Sequence, residues 1–280
     1  MECKLKNLTI YYEEYGEGYP ILMIHGFMPD HRLMKGCMEP IFKNREGYKR
    51  IYLDLPGMGK TIGPKWLTKS DQMLDVVLEF INKIIPSEKF IIASESYGCY
   101  LARGVIFKRS KFIDGVLFIC PLIIPQTEKR DLPKEFKVLI KDAEFISSLS
   151  PLEAQEIEES LIIQSREVWE RYKEEVFPGL KIADQNFLNT IFPANYEFSF
   201  EVDQLINLYD KPTLFLLGRQ DNTVGYRDAW KIIENYPSAT FAILDQAGHN
   251  LQIEKTNVFN PLVHDWLNRI ESYNSFENKS

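Results

Sequence analysis

Short apolar runs recur along this 280-residue chain, and a segment with helical spacing follows most of them. Tyr19-Pro20-Ile21-Leu22-Met23-Ile24, Ile51-Tyr52-Leu53 and Phe112 through Cys120 lack the in–out alternation of a half-exposed strand. Such runs fit strands covered on both faces. Between them, Met73, Val76, Val77, Phe80, Ile81 and Ile84 repeat with a 3.6-residue period behind Ser70, a candidate cap. Strand alternating with helix predicts an α/β fold, with a mostly parallel central sheet and helices on both faces. Residues 3–15 read as one or two further strands, and a helix is expected within 33–44.

The rhythm breaks at Pro121. From there to about residue 205 no buried strand stands out, and helix signals take over. Ser150-Pro151-Leu152-Glu153 combines a cap serine, a first-turn proline and a glutamate at the third position. A second helical run carries Val168, Trp169, Tyr172 and Val176 and is expected to end before Pro178-Gly179. Alternation then resumes with strands at 212–218 and 239–244, a helix over 226–236 and a last helix through Phe259, Trp266 and Ile270. The tail after Ser272 is polar and reads as frayed. The expected organisation is therefore a core of residues 1–121 and 206–280 carrying a helical lid at 122–205.

One strand runs straight into a helix. Phe90-Ile91-Ile92-Ala93 ends in Ser94-Glu95-Ser96-Tyr97-Gly98, and Tyr100 to Ile106 continue at helical spacing. A serine at such a bend sits in a strained conformation with its hydroxyl above the sheet, facing the free N–H groups of the helix start. The bend needs small residues two places before and after the nucleophile. Ser94 and Gly98 flank Ser96 in that way; Ser94 itself would be flanked by Ile92, which is too bulky. The pattern is G-x-S-x-G with serine in the first glycine position.

Composition excludes several classes. An apolar fraction of 45 % and a charged fraction of 26 % belong to an ordinary globular chain. A net charge of −7 argues against nucleic acid or an anionic membrane as partner. No apolar run reaches spanning length, and the first residues lack a signal-peptide core, so a cytoplasmic location is expected. Cys3, Cys37, Cys99 and Cys120 are scattered and read as free thiols. Asp54-Leu55-Pro56-Gly57-Met58-Gly59-Lys60-Thr61 ends like a phosphate-binding loop, but Asp54 stands where the first glycine is required and Pro56 has no N–H to offer.

Ligands of open α/β sheets bind beyond the carboxyl ends of the strands. Those ends here carry His25-Gly26-Phe27, Ser96, Asp221 in Gly218-Arg219-Gln220-Asp221, and His249 in Gly248-His249. The chain order Ser…Asp…His is the one expected of α/β-hydrolases. With these motifs, Met28-Pro29 and Asp54-Leu55-Pro56-Gly57-Met58-Gly59, the sequence resembles the α/β-hydrolase superfamily over essentially its whole length, and its capped serine hydrolases most. The resemblance implies a Ser96–His249–Asp221 triad and backbone N–H donors from Phe27 and Tyr97. It implies an acyl-enzyme on Ser96 and no metal or organic cofactor.

The expected activity is that of a carboxylesterase on a small-molecule substrate, by a monomer or homodimer without nucleic-acid or membrane partners. A carbon–carbon bond hydrolase or lactonase would use the same residues. A weakly active ligand-binding relative is the reading from another class, resting on Ser94 and Glu95 at the bend. Candidate pocket residues are Phe27, Met28, Trp169, Phe192 and Tyr196. His25 is expected to orient its loop, and His31 and His264 to be packed or solvated helix residues.

Overall fold

The computed structural model describes residues 1–277. Its strands are β1 (Glu2–Lys4), β2 (Thr9–Tyr15), β3 (Tyr19–Ile24), β4 (Tyr48–Leu53), β5 (Phe90–Glu95), β6 (Ile113–Ile119), β7 (Ile140–Lys141), β8 (Ile163–Gln164), β9 (Thr213–Gly218) and β10 (Ala239–Leu244). Eight of them form one sheet in the order β1-β2-β4-β3-β5-β6-β9-β10. The two pairings that involve β2 are antiparallel and the other five are parallel. The alternation in the sequence thus becomes the expected α/β sheet. Every residue of β5, β6 and β9 is buried, which is why those runs carry no polar face.

Chain direction decides which face each helix covers. From β3 through α1 (His31–Phe42) the chain crosses to β4, on one side; from β5 through α3 (Tyr97–Arg109) it crosses to β6, on the other. Right-handed crossovers therefore put α1 and α3 on opposite faces. The C-terminal helix Thr256–Glu277 packs beside α1, and α2 (Ser70–Ile84) packs beside α3. The order of strands reverses between β3 and β5, so a crevice opens where the loop after β3 faces the start of α3.

Between β6 and β9 lie α4 (Ala143–Ser147), α5 (Pro151–Ser160), α6 (Arg166–Glu175), α7 (Phe177–Ile182) and α8 (Gln185–Leu188). Their only strands, β7 and β8, pair with each other and not with the main sheet. Ser150 accepts from the Glu153 N–H while the Glu153 carboxylate accepts from Ser150, so both partners of the capping box are in place.

Local expectations fail where tertiary contacts claim the groups involved. Ser70 does not cap α2. Its hydroxyl instead meets the Tyr97 hydroxyl and donates to the Tyr196 carbonyl, both at 2.8 Å. The helical run through Val168, Trp169 and Tyr172 does end before Pro178, at Glu175, and Pro178 then lies in the first turn of a new helix, α7, where its missing N–H costs nothing. The helix expected over 226–236 is only Arg227–Trp230 followed by a 3₁₀ turn at Ile233–Asn235. Beyond Ser272 the chain stays helical to Glu277, and the last three residues of the expected tail lie outside the described residues. Among the described residues no helix is long and apolar enough to cross a membrane.

The passage of α3 over β3 is a close backbone approach at the site itself. A Cβ built on Gly98 would stand 2.3 Å from the Ile24 carbonyl oxygen. Gly98→Ala is therefore expected to destabilise the protein by about 2–3 kcal/mol, because backbone rather than a flexible side chain must yield. Urea unfolding of the variant checks this; an unchanged midpoint would show that the two segments have room to part.

Candidate active site

Ser96 sits at φ 51°, ψ −116°, a left-handed conformation that a residue with a Cβ adopts only under constraint. The constraint is visible on both sides. Its N–H donates to the Ile119 carbonyl at 3.0 Å, and its carbonyl accepts from Cys99 and Leu122 at 3.0 and 3.1 Å. Serine in place of glycine at position 94 is accommodated, since its hydroxyl turns to the Leu117 carbonyl of β6 at 3.1 Å. The bend thus forms despite the departure from glycine. Tyr97 opens α3, so its N–H has no intrahelical acceptor.

The acid and the imidazole arrive from two other strand ends. Asp221, in the loop after β9, accepts from the Thr223 and Val224 N–H groups at 2.8 and 3.0 Å through Oδ1. Its Oδ2 lies 2.9 Å from His249 Nδ1. Burial works to raise the Asp221 pKa, but His249 and the two backbone donors outweigh it and hold the carboxyl ionised. A carboxylate only accepts, so the Nδ1 proton is fixed, and neutral His249 presents a bare Nε2. That nitrogen lies 3.0 Å from Ser96 Oγ. Asp245 and Asp210, the other acids near these strand ends, are turned away: Asp245 accepts from the Gln220 side-chain amide, and Asp210 sits at the surface beside Lys211.

The loops themselves are tied down. His25, fully buried, accepts the Leu55 N–H through Nε2 at 3.0 Å, which sets the loop after β3. The loop of His249 is held by Glu254, whose carboxylate accepts from Gly248 at 2.6 Å and from Ile162 at 2.9 Å. One side chain thereby joins the histidine loop to the start of β8. Asp54, in the loop that resembles a phosphate cradle, accepts from the backbone of His31 and Lys60. A buried carboxylate inside that loop would repel a phosphate.

Glu95 is the site residue whose importance the sequence understates. Its side chain is 3 % exposed, and Oε1 lies 3.2 Å from His249 Nε2, competing with Ser96 for the same nitrogen. Its other oxygen crowds Gly26, where a Cβ would stand 2.2 Å away. Burial lifts the Glu95 pKa to about 7, with His249 opposing the rise. Burial would also depress His249, but the Asp221 and Glu95 charges override it and hold the imidazole at about 9. Adjacency to Ser96 was the only signal in the sequence.

Ser96 and His249 open into a cavity of about 440 Å³. Phe27, Met28, Phe192 and Tyr196 line it, with Phe27 edge-on to Tyr97 and Tyr196 at ring separations of 5.3 and 5.1 Å. Trp169 does not line it. It is fully enclosed, 5.8 Å from the rings of both Tyr172 and Phe177, and Tyr172, one helical turn on, reaches the cavity instead. Arg130, Asn222 and Thr223 form a polar stretch of the wall that no sequence signal announced. Among the described residues two clusters hold potential metal donors, Cys120–Asp221–His249 and Asp30–His31–Asp54. Asp221 and His249 are already bound to each other, as are Asp54 and His31, and Asp30 to Arg32.

Comparison with known proteins agrees with this architecture. A family model described as serine aminopeptidase, S33, matches residues 20–256. The crystal structure of an alpha/beta superfamily hydrolase from Oenococcus oeni superposes with a TM-score of 0.86 at 29 % identity, over 97 % of this chain and 99 % of that one. Pimeloyl-[acyl-carrier protein] methyl ester esterase of Legionella pneumophila is 21 % identical over 93 % of this chain and 100 % of its own. Monoacylglycerol lipase abhd6-B of Xenopus laevis is 23 % identical over 90 % of this chain and 76 % of its own.

The placement of Glu95 has a consequence for pH. An imidazole accepts a proton only when neutral, so any reaction that used His249 as general base is expected to quicken as pH climbs toward about 9. Glu95→Gln removes one of the two charges holding the imidazolium. The rising limb should then move to lower pH by about one unit, and activity near pH 6–7 should rise. A pH–rate profile of the variant checks this, and an unmoved limb would mean that Glu95 does not act on His249.

Proposed function

The chain belongs to the serine aminopeptidase S33 family of the α/β-hydrolase superfamily, and we propose that it hydrolyses carboxylic esters through an acyl-enzyme on Ser96. The observation that carries this reading is the unbroken line from Ser96 Oγ to His249 Nε2 at 3.0 Å and from His249 Nδ1 to Asp221 at 2.9 Å. His249 takes the hydroxyl proton as Ser96 attacks the carbonyl carbon, and Asp221 stabilises the imidazolium that forms. The Phe27 and Tyr97 N–H groups receive the oxyanion, each donor worth roughly 10²–10³ in rate. The imidazolium then returns its proton to the leaving alcohol, and water repeats the sequence to release the acid.

In this reading residues 122–205 act as a cap over a core of 1–121 and 206–280, and the cavity beneath admits a small or medium acyl group. The esterase and lipase names of the two relatives support an ester as substrate. A second reading, a pocket that binds and turns over little, draws on the Glu95 contact with Nε2, because an imidazolium paired with Glu95 is no base.

Ser96→Ala is expected to abolish labelling by a fluorophosphonate probe and to lower ester hydrolysis by at least about 10³. Both are read against His249→Ala, which should lose turnover too. Persistent labelling of the Ser96 variant would mean another nucleophile. Labelling of the native protein without turnover on an ester panel across pH 6–10 would favour the binding reading.

A further inference from the structure

A cation without a carboxylate partner stands in the wall of the active-site cavity. The Arg130 guanidinium donates to three backbone carbonyls: Nε to Ile124 at 2.9 Å, one terminal nitrogen to Pro125 at 2.7 Å, the other to Thr223 at 2.9 Å. Those bonds fix the plane of the group and use three of its five N–H donors. Each terminal nitrogen keeps one. Among the described residues Arg130 takes part in no ion pair. The carboxylates of the site are engaged elsewhere, Asp221 with His249, Glu95 against His249 and Gly26, and Glu159 in the cavity wall with the Gln155 side-chain amide.

A half-buried charge with no carboxylate at ion-pair distance is costly, and Arg130 feels it, since burial draws its pKa below the usual arginine value despite the more distant charges of Asp221, Asp228 and Glu128. Three carbonyls hold it there all the same. Their position follows from the sheet order. Ser96 follows β5, and the Phe27 loop lies to the β3 side of it. Ile124 and Pro125 follow β6, and Thr223 follows β9, both on the opposite side. The cavity therefore has an apolar flank at Phe27 and Met28 and a cationic flank at Arg130, with Ser96 between them.

We propose that Arg130 binds a carboxylate carried by one limb of the substrate, so that the preferred substrate is an ester with a free carboxylate group. A planar guanidinium with one donor left on each terminal nitrogen meets a carboxylate through two parallel hydrogen bonds, the arrangement in which arginine exceeds lysine. The inference rests on Ser96 being the nucleophile.

The test compares monomethyl adipate with methyl hexanoate, equal in acyl length and differing in the terminal charge, by methanol release. The native protein should favour the charged ester in kcat/KM. Arg130→Met should lower that preference by roughly ten- to a hundredfold, chiefly through KM, and Arg130→Lys should restore part of it. The preference is a ratio within each protein, so a general loss of stability does not mimic it. Binding of both esters to Ser96→Ala protein, measured by calorimetry with and without Arg130→Met, reads the same preference in the absence of turnover. A preference unaltered by Arg130→Met in both assays, or none in the native protein, would overturn the anion site. Ser96→Ala protein that still released methanol would instead overturn the nucleophile assignment, which separates the two failures.

Discussion

The close passage of α3 over the end of β3 is the constraint on which the rest depends. Gly98 lies against the Ile24 and His25 carbonyls with no space for a side chain. That contact forces the chain to turn within a single residue, and Ser96 takes the left-handed conformation the turn requires. The same contact sets the Phe27 loop beside the start of α3. Strain at Ser96 is sustained by hydrogen bonds to Ile119, Cys99 and Leu122, so the surrounding sheet over-determines the bend.

Charge is the second organising feature. Three carboxyl groups surround the histidine loop, and they are not equivalent. Asp221 is ionised and fixes the proton on Nδ1. Glu95, lifted by burial to about 7, meets the other nitrogen and contests it with Ser96. Glu254, also lifted to about 7 by burial, never touches the ring but holds the Gly248 and Ile162 N–H groups. The basicity of the imidazole is thus set by two acids, and its position by a third that reaches into the inserted helical segment.

That segment shapes the cavity in a way its helices alone do not reveal. Its aromatic residues divide between two tasks. Trp169, Tyr172 and Phe177 pack on one another, while Phe192 and Tyr196 pack on Phe27 from the side of the core. Tyr196 stacks on Tyr97 with centroids 4.7 Å apart, so the inserted segment rests directly on the first residue of α3. The bond from Ser70 to the Tyr196 carbonyl secures the same junction.

The sequence alone determined the α/β architecture, because buried parallel strands need continuous apolar runs and amphipathic helices need a 3.6-residue period. Both patterns are local. It also marked Ser96, Asp221 and His249 by their positions after strand ends, and Gly98 by the steric need of the turn. Tertiary structure decided what sequence spacing cannot encode. Glu95 meets His249 only because β5 and the loop after β10 end at the same rim, 154 residues apart in the chain. Trp169 and Tyr172 carry the same apolar signal, and packing alone chose which faces the cavity. Nothing in the sequence sets Arg130 apart, and only the folded chain brings the segments after β6 and β9 together on its guanidinium. Ser70 shows the reverse case, where a local cap signal was overridden by distant partners. A side chain's type fixes what it can bond, and only the fold fixes what it meets.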